Sequence, residues 1–309
     1  MAGIKSFSPL LALVLIFLVA CGPANSTAPG AVLDDLGRSV DIEEIPQRIV
    51  SLAPSNTEIL FALGLGEKVV GVTEYCNYPP EALDKEKVGG YSTPDIEKII
   101  ALQPDLILAS SIHAKELIPA LEQRGLTVFA LEPKSIDGIL EDIRMVGKIA
   151  GKEKEASELV TQMENRIKVI TDQTKDLEER PRVFYITWHD PLFSVGSETI
   201  IQELIEKAGG VNIFWDITGH KTVDLEPVIF RNPEVMIACT GHGEAEGKPF
   251  NWAKTGEPRL RVTEAYKNDR IYQINADLVN RSGPRIVEAL EWFAYFIHPE
   301  IFGEPEGGD

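Results

Sequence analysis

Two stretches, Asp95–Ala109 (DIEKIIALQPDLILA) and Asp224–Ala238 (DLEPVIFRNPEVMIA), decide the fold. Aligned residue for residue, they share the opening Asp, a Glu two positions on, an apolar pair, a Pro and the closing Ala. Each predicts a short helix, a turn at the proline that stops it, and a buried strand. Proline cannot continue a helix, and a short apolar run bounded by turn residues is strand-like. A pattern present twice, and not three or more times, predicts two similar lobes instead of a solenoid.

Working outward, Arg48–Leu52 (RIVSL) reads as a strand opening the first half, and Arg182-Val183-Phe184 is its counterpart in the second. The segment Pro54-Ser55-Asn56-Thr57-Glu58 follows, with Ser55 or Asn56 as N-cap of a helix Glu58–Leu63 that stops at Gly64. Lys68–Val72, Asp105–Ala109 and Thr127–Leu131 are the next strands. Strands separated by helical patterns imply βαβ units. Between the halves, Leu159, Met163, Ile167 and Ile170 recur at steps of three and four among charged residues. Lys152–Arg180 therefore predicts one long amphipathic helix, punctuated by Gly151 and Pro181. The expected fold class is α/β: two Rossmann-like lobes with mainly parallel central sheets, residues 46–150 and 181–303, joined by a single long linker helix, 151–180. One stiff rod resists bending, so lobe closure should be small.

The N-terminus predicts export. Lys5 gives a short positive region, Leu10–Ala20 is an unbroken apolar run, and Cys21 ends it. The run suits a secretory signal better than a membrane span, which needs about 20 apolar residues. Leu18, Val19, Ala20 and Cys21 resemble a bacterial lipobox, so residues 1–21 are expected to be a signal peptide with Cys21 lipidated. Residues 22–45 are then a flexible tether, small and polar over Gly22–Ala31, followed by an N-terminal strand; residues 304–309 are a tail. The expected location is extracytoplasmic, on a membrane through the lipid anchor, in the periplasm or at the cell surface.

A formal net charge of −18 argues against a nucleic-acid partner, since phosphate binding is driven by Lys and Arg. Cys76 and Cys239 lie in different halves and are read as separate thiols, not a disulfide. No HExxH, GxSxG or Cys-x-x-Cys pattern occurs, and no histidine lies four residues from another. A hydrolase or a zinc site therefore has no local signature.

The string RIVSLAPSNTEILFALGLGEKVVGVT, the following YCNYP, the paired helix–Pro–strand segments and the terminal SGPRIVEALEWFAYFIHPE resemble class III periplasmic binding proteins. These are two-lobed carriers for importers of cobalamin, haem and iron–siderophores. The resemblance runs from about Pro46 to Ile301, and Tyr75-Cys76-Asn77-Tyr78-Pro79 is most similar to the cobalamin-binding members. It implies a non-enzymatic, substrate-binding lipoprotein of an ABC importer, without a resident cofactor. A cobalamin or other corrinoid is the expected ligand, and haem or an iron–siderophore the alternative. The implied partners are a permease dimer and its ATPase subunits.

In that family one surface glutamate on each lobe docks on the permease; here the matching residues are Glu97 and Glu226, at equivalent positions of the internal repeat. Helix-start acidity explains either one alone. Ligand contacts are expected in loops at the C-terminal ends of the strands: Tyr75, Asn77, Tyr78, Tyr91 and Ser110 from the first lobe, and Trp188, His189, His220, Asp277 and Arg281 from the second. Aromatic walls with a few hydrogen-bonding groups suit flat macrocycles. Tyr91 and Leu278 depart from the family, standing where tryptophans are common. His220 is either an axial metal ligand or an ordinary loop histidine. A surface-anchored hydrolase using Asp277 or His189 is the contrasting reading.

Overall fold

The computed structural model describes residues 30–240 and 246–305. The expected signal peptide, Cys21, most of the tether, residues 241–245 and the last residues of the tail lie outside them. The first lobe contains β1 (Gly30–Leu33), β2 (Ser39–Ile42), β3 (Ile49–Ser51), α1 (Pro54–Ala62), β4 (Val69–Val72), β5 (Glu86–Lys87), α2 (Ile96–Ala101), β6 (Leu106–Ala109), α3 (Leu117–Glu122), β7 (Val128–Ala130) and α4 (Ile136–Ala150). After α5 (Glu153–Thr174) come β8 (Arg182–Ile186), β9 (Trp188–His189), β10 (Leu192–Val195), α6 (Ile200–Lys207), β11 (Val211–Asn212), β12 (His220–Thr222), α7 (Leu225–Arg231), β13 (Val235–Cys239), α8 (Lys248–Asn251), α9 (Glu264–Lys267), β14 (Ile271–Ile274), α10 (Ala276–Asn280) and α11 (Ile286–Ile297).

Each lobe is built on a parallel sheet, in the order β5-β4-β3-β6-β7 in the first and β11-β8-β13-β14 in the second. The repeat that the sequence shows has a physical cause. Arg48 donates through Nε to the carbonyls of Leu102 and Gln103 at 3.0 and 3.1 Å, and Arg182 does the same to Arg231 and Asn232 at 3.2 and 2.9 Å. In both lobes the opening arginine thus closes the exposed end of the repeat helix, satisfying orphan carbonyls. Gln103 and Asn232 both have positive φ, 47° and 46°, before the repeated proline. Asp105 and Glu234, which follow that proline, each accept from the backbone N–H of the same arginine, at 2.9 and 3.0 Å.

Side chains alternate across the strands and feed three cores. Val183 and Tyr185 of β8 face one side of their sheet, Phe184 and Ile186 the other; Ile49 and Val50 of β3 diverge likewise. The largest core is shared by the lobes. It runs from Ile59 and Leu60 of α1 through Met163 and Ile170 of α5 to Tyr185 and to Phe293 of α11.

Several local expectations are corrected. Helix α1 starts at Pro54 with Ala53 at the N-cap, and no side chain caps it. Proline suits the first turn because its missing N–H would be unpaired there anyway. Ser55 and Asn56 thus lie inside the helix, and buried Asn56 donates to the Ala109 carbonyl at 2.9 Å. Gly30 and Ala31 belong to a β1–β2 hairpin, not to the tether. The linker helix ends at Thr174 after 22 residues, about six turns, short of the expected Arg180. Asp176, Glu178 and Glu179 beyond it oppose the negative end of a helix dipole, and Arg180 folds back to donate to the Thr174 carbonyl at 3.2 Å. Cys76 and Cys239 are both fully buried and carry no disulfide.

Helix α5 is held on both sides. A Cβ added at Gly147 of α4 would lie 2.4 Å from the Ala156 Cβ, so only glycine permits that approach. On the other side, Arg166 makes a two-point ion pair with Glu291 of α11, both contacts at 2.8 Å. No described helix is long and apolar enough to cross a membrane.

Candidate functional site

Two cavities flank the line where the lobes meet. One, of about 650 Å³, opens at the C-terminal ends of the central strands, where open α/β sheets bind ligands. Its first-lobe wall is Ala53, Pro54, Ser55, Glu74, Tyr75, Asn77, Tyr91 and Ser92; Asp277, Asn280 and Arg281 form the second-lobe wall. The other, of about 810 Å³, lies against the linker helix and includes Phe61, Tyr78, Met163, Arg166, Arg285 and Glu288. It is the larger, but most of its lining comes from α1 with the turn after it, α5 and the start of α11, with Tyr78 and Pro79 the nearest contribution of the loop after β4. The cleft at the strand ends is the candidate site.

The first wall is built by short-range chemistry. Tyr91 sits between two anchors: its hydroxyl is 3.1 Å from that of Ser110, and its carbonyl is 2.7 Å from His113 Nε2. His113 Nδ1 accepts from the Ser110 N–H at 3.2 Å, so Nε2 carries the proton and donates to Tyr91. Burial lowers the pKa of His113 despite that carbonyl, which keeps the ring neutral in this role. The His113 ring also meets the Tyr91 ring edge-on at 5.7 Å between centroids. Tyr75 is 61% exposed, so its ring is available to a ligand.

The floor is ionic. Glu58 of α1, buried, accepts from Arg281 at 3.1 Å and from Arg285 at 2.9 and 2.6 Å. Arg281 also donates to Asp277 at 2.5 Å and, more weakly, to the Tyr75 carbonyl at 3.4 Å. The Arg285 guanidinium lies 3.9 Å above the Tyr78 ring. This group joins the lobes and divides the two cavities.

Of the residues expected at the site, Tyr75, Asn77, Tyr91, Asp277 and Arg281 come together around the cleft, with Ser110 behind Tyr91. Four others are placed elsewhere. Tyr78 lines the cavity beside the linker helix. The Trp188 indole donates to the Asp190 carbonyl at 2.7 Å, and His189 packs toward Trp252 at 6.5 Å and lines a separate cavity of about 420 Å³. His220 lies on β12, paired to β10, outside the described lining of the cleft; desolvation lowers its pKa. Leu278 packs against the shared core. Asn280 comes with the Asp277–Arg281 segment, whereas Glu58, Glu74 and Ser92 were not anticipated. Glu74 and Ser92 adjoin predicted residues, whereas Glu58 read as an ordinary helix residue.

Glu97 and Glu226 both occupy the first turn of their repeat helices, α2 and α7. Glu97 is exposed, and the Glu226 side chain is 77% exposed with one loose contact to Arg259 at 3.6 Å.

Paired α/β lobes, a single connecting helix and a cleft walled from both halves define a two-lobed solute-binding protein. Residues 49–278 match the periplasmic binding protein family, and the chain belongs to it. A Bacillus subtilis relative, named as an uncharacterized ABC transporter substrate-binding lipoprotein (YvrC), is 35% identical over 95% of this chain and 97% of its own. A vitamin B12-binding protein of Vibrio cholerae is 32% identical over 79% of this chain and 87% of its own. A solved structure from Staphylococcus epidermidis, described as a possible iron-binding periplasmic solute-binding protein, matches with a TM-score of 0.73 at 31% identity, covering 82% of this chain and 100% of that one. The family is one of ABC-transporter solute carriers, not of enzymes.

Proposed function

We propose that this protein captures a cobalamin or related corrinoid between its lobes, held at a membrane through Cys21, and hands it to an ABC permease dimer through Glu97 and Glu226. The observation carrying this reading is the cleft: exposed Tyr75, anchored Tyr91 and polar Asn77 face Asp277, Asn280 and Arg281 across it. Aromatic faces suit a planar macrocycle, and amide or carboxylate groups suit its periphery. The similarity to a vitamin B12-binding protein supports the same ligand class. The two glutamates sit at repeat-equivalent helix starts, one per lobe, as docking on a two-fold partner requires. The shared core and the paired contacts of α5 favour a stiff carrier with little closure.

The test is a titration of the purified protein with cobalamin, cobinamide, haemin and a ferric hydroxamate, followed in the visible spectrum. A shifted corrinoid spectrum with one ligand per chain is expected. Tightest binding of haemin would replace the corrinoid reading with a haem one; turnover of a ligand without its retention would point to a hydrolase.

A further inference from the structure

Resting on the corrinoid reading and deepening it, we infer that buried Glu58 sets the charge class of the ligand, although it lines the other cavity. Among the described residues, Arg281 is the only cation lining the cleft, and its side chain is 9% exposed. Glu58 holds it from the first lobe at 3.1 Å, and Asp277 from the second at 2.5 Å. The Tyr75 carbonyl takes a further N–H. A guanidinium offers five donors in a fixed fork, and its strongest acceptors are carboxylates. Here those acceptors are already supplied by the protein.

Charge balance leads to the same result. Glu58 and Asp277 offset Arg281 and Arg285, so this ion group is neutral. Glu74 then leaves the described cleft with a negative excess. A ligand whose rim carries carboxylates meets repulsion and finds, among the described lining residues, no uncommitted cation. A ligand whose rim carries amides, or which is cationic, meets acceptors. Specificity of this kind comes from disfavouring the competitor as much as from favouring the ligand. Glu58 never touches the ligand in this arrangement. It is a positioning residue, acting through Arg281.

The experiment compares cobinamide, whose corrin ring carries amides, with cobyrinic acid, the same ring bearing carboxylates. Dissociation constants of both are measured for the native protein, Glu58→Gln and Asp277→Asn, with ferrioxamine B, a cationic ferric hydroxamate, as a third probe. The native protein should prefer cobinamide over cobyrinic acid by at least tenfold, and each substitution should shrink that ratio about tenfold, the scale of one unit charge at short range in a partly screened site. A purely structural role would weaken both corrins equally and leave the ratio unmoved, which overturns the inference. Where Glu58→Gln does not fold, Asp277→Asn carries the same comparison. Native binding of ferrioxamine B but of neither corrin sinks the corrinoid reading and leaves the charge assignment standing. Native preference for cobyrinic acid, or no binding of any probe, removes the charge assignment.

Discussion

Asp142 offers the sharpest quantitative test of the fold. It sits on α4, only 4% exposed, beside Asp35 of the β1–β2 turn, and its Oδ2 has no hydrogen-bond partner among the described residues. Burial first, then the neighbouring carboxylate of Asp35, pushes its pKa up to about 8 from an ordinary 3.8. The folded state therefore holds the proton that the unfolded chain releases near pH 4. Stability from this group is full below that pH, declines as pH rises, and is at its minimum above about pH 8. Between pH 5 and pH 8 the loss amounts to about 3–4 kcal/mol, from 1.36 kcal/mol per pKa unit. Asp142→Asn keeps the shape and a donor toward Asp35 but removes the titration. Urea unfolding at pH 5, 6, 7 and 8 should give a native curve that falls relative to the variant, with the variant more stable by several kcal/mol at pH 8. Parallel curves across that range would refute the assignment of a buried, protonated carboxyl here.

Three further outcomes are expected. Replacing both Glu97 and Glu226 by Ala should abolish uptake in cells while ligand affinity of the purified protein stays within about threefold, because rim charges steer docking and do not fill the cleft; loss of ligand binding would show them misplaced. Tyr91→Ala should weaken corrinoid affinity about tenfold in the same titration, since it removes an aromatic wall, with the melting temperature less affected. Gly147→Val should destabilise the protein by about 2–3 kcal/mol in urea unfolding, because the new side chain collides with Ala156 and wedges α4 from α5; an unchanged midpoint would mean the two helices are not pressed together.

Much of this was legible in the sequence because its causes are local. The helix–proline–strand repeat, the parallel sheets and the amphipathic linker follow from periodicity and from proline's missing donor, which act over a few residues. The loops at the strand ends named Tyr75, Asn77, Tyr91, Asp277 and Arg281, since topology puts such loops beside one another. Local signals also misled. Ser55 and Asn56 carry cap chemistry, yet Pro54 began the helix and a carbonyl 53 residues away claimed the Asn56 amide. Only the tertiary structure could send Tyr78 to the cavity beside α5, place His220 on β12 against β10 and outside the cleft lining, and bring Glu58 onto Arg281 and Arg285, 223 and 227 residues distant. Periodicity reports which face of an element is buried. It carries no information about which distant charge meets it there, because a buried ion pair depends on the relative placement of two whole lobes.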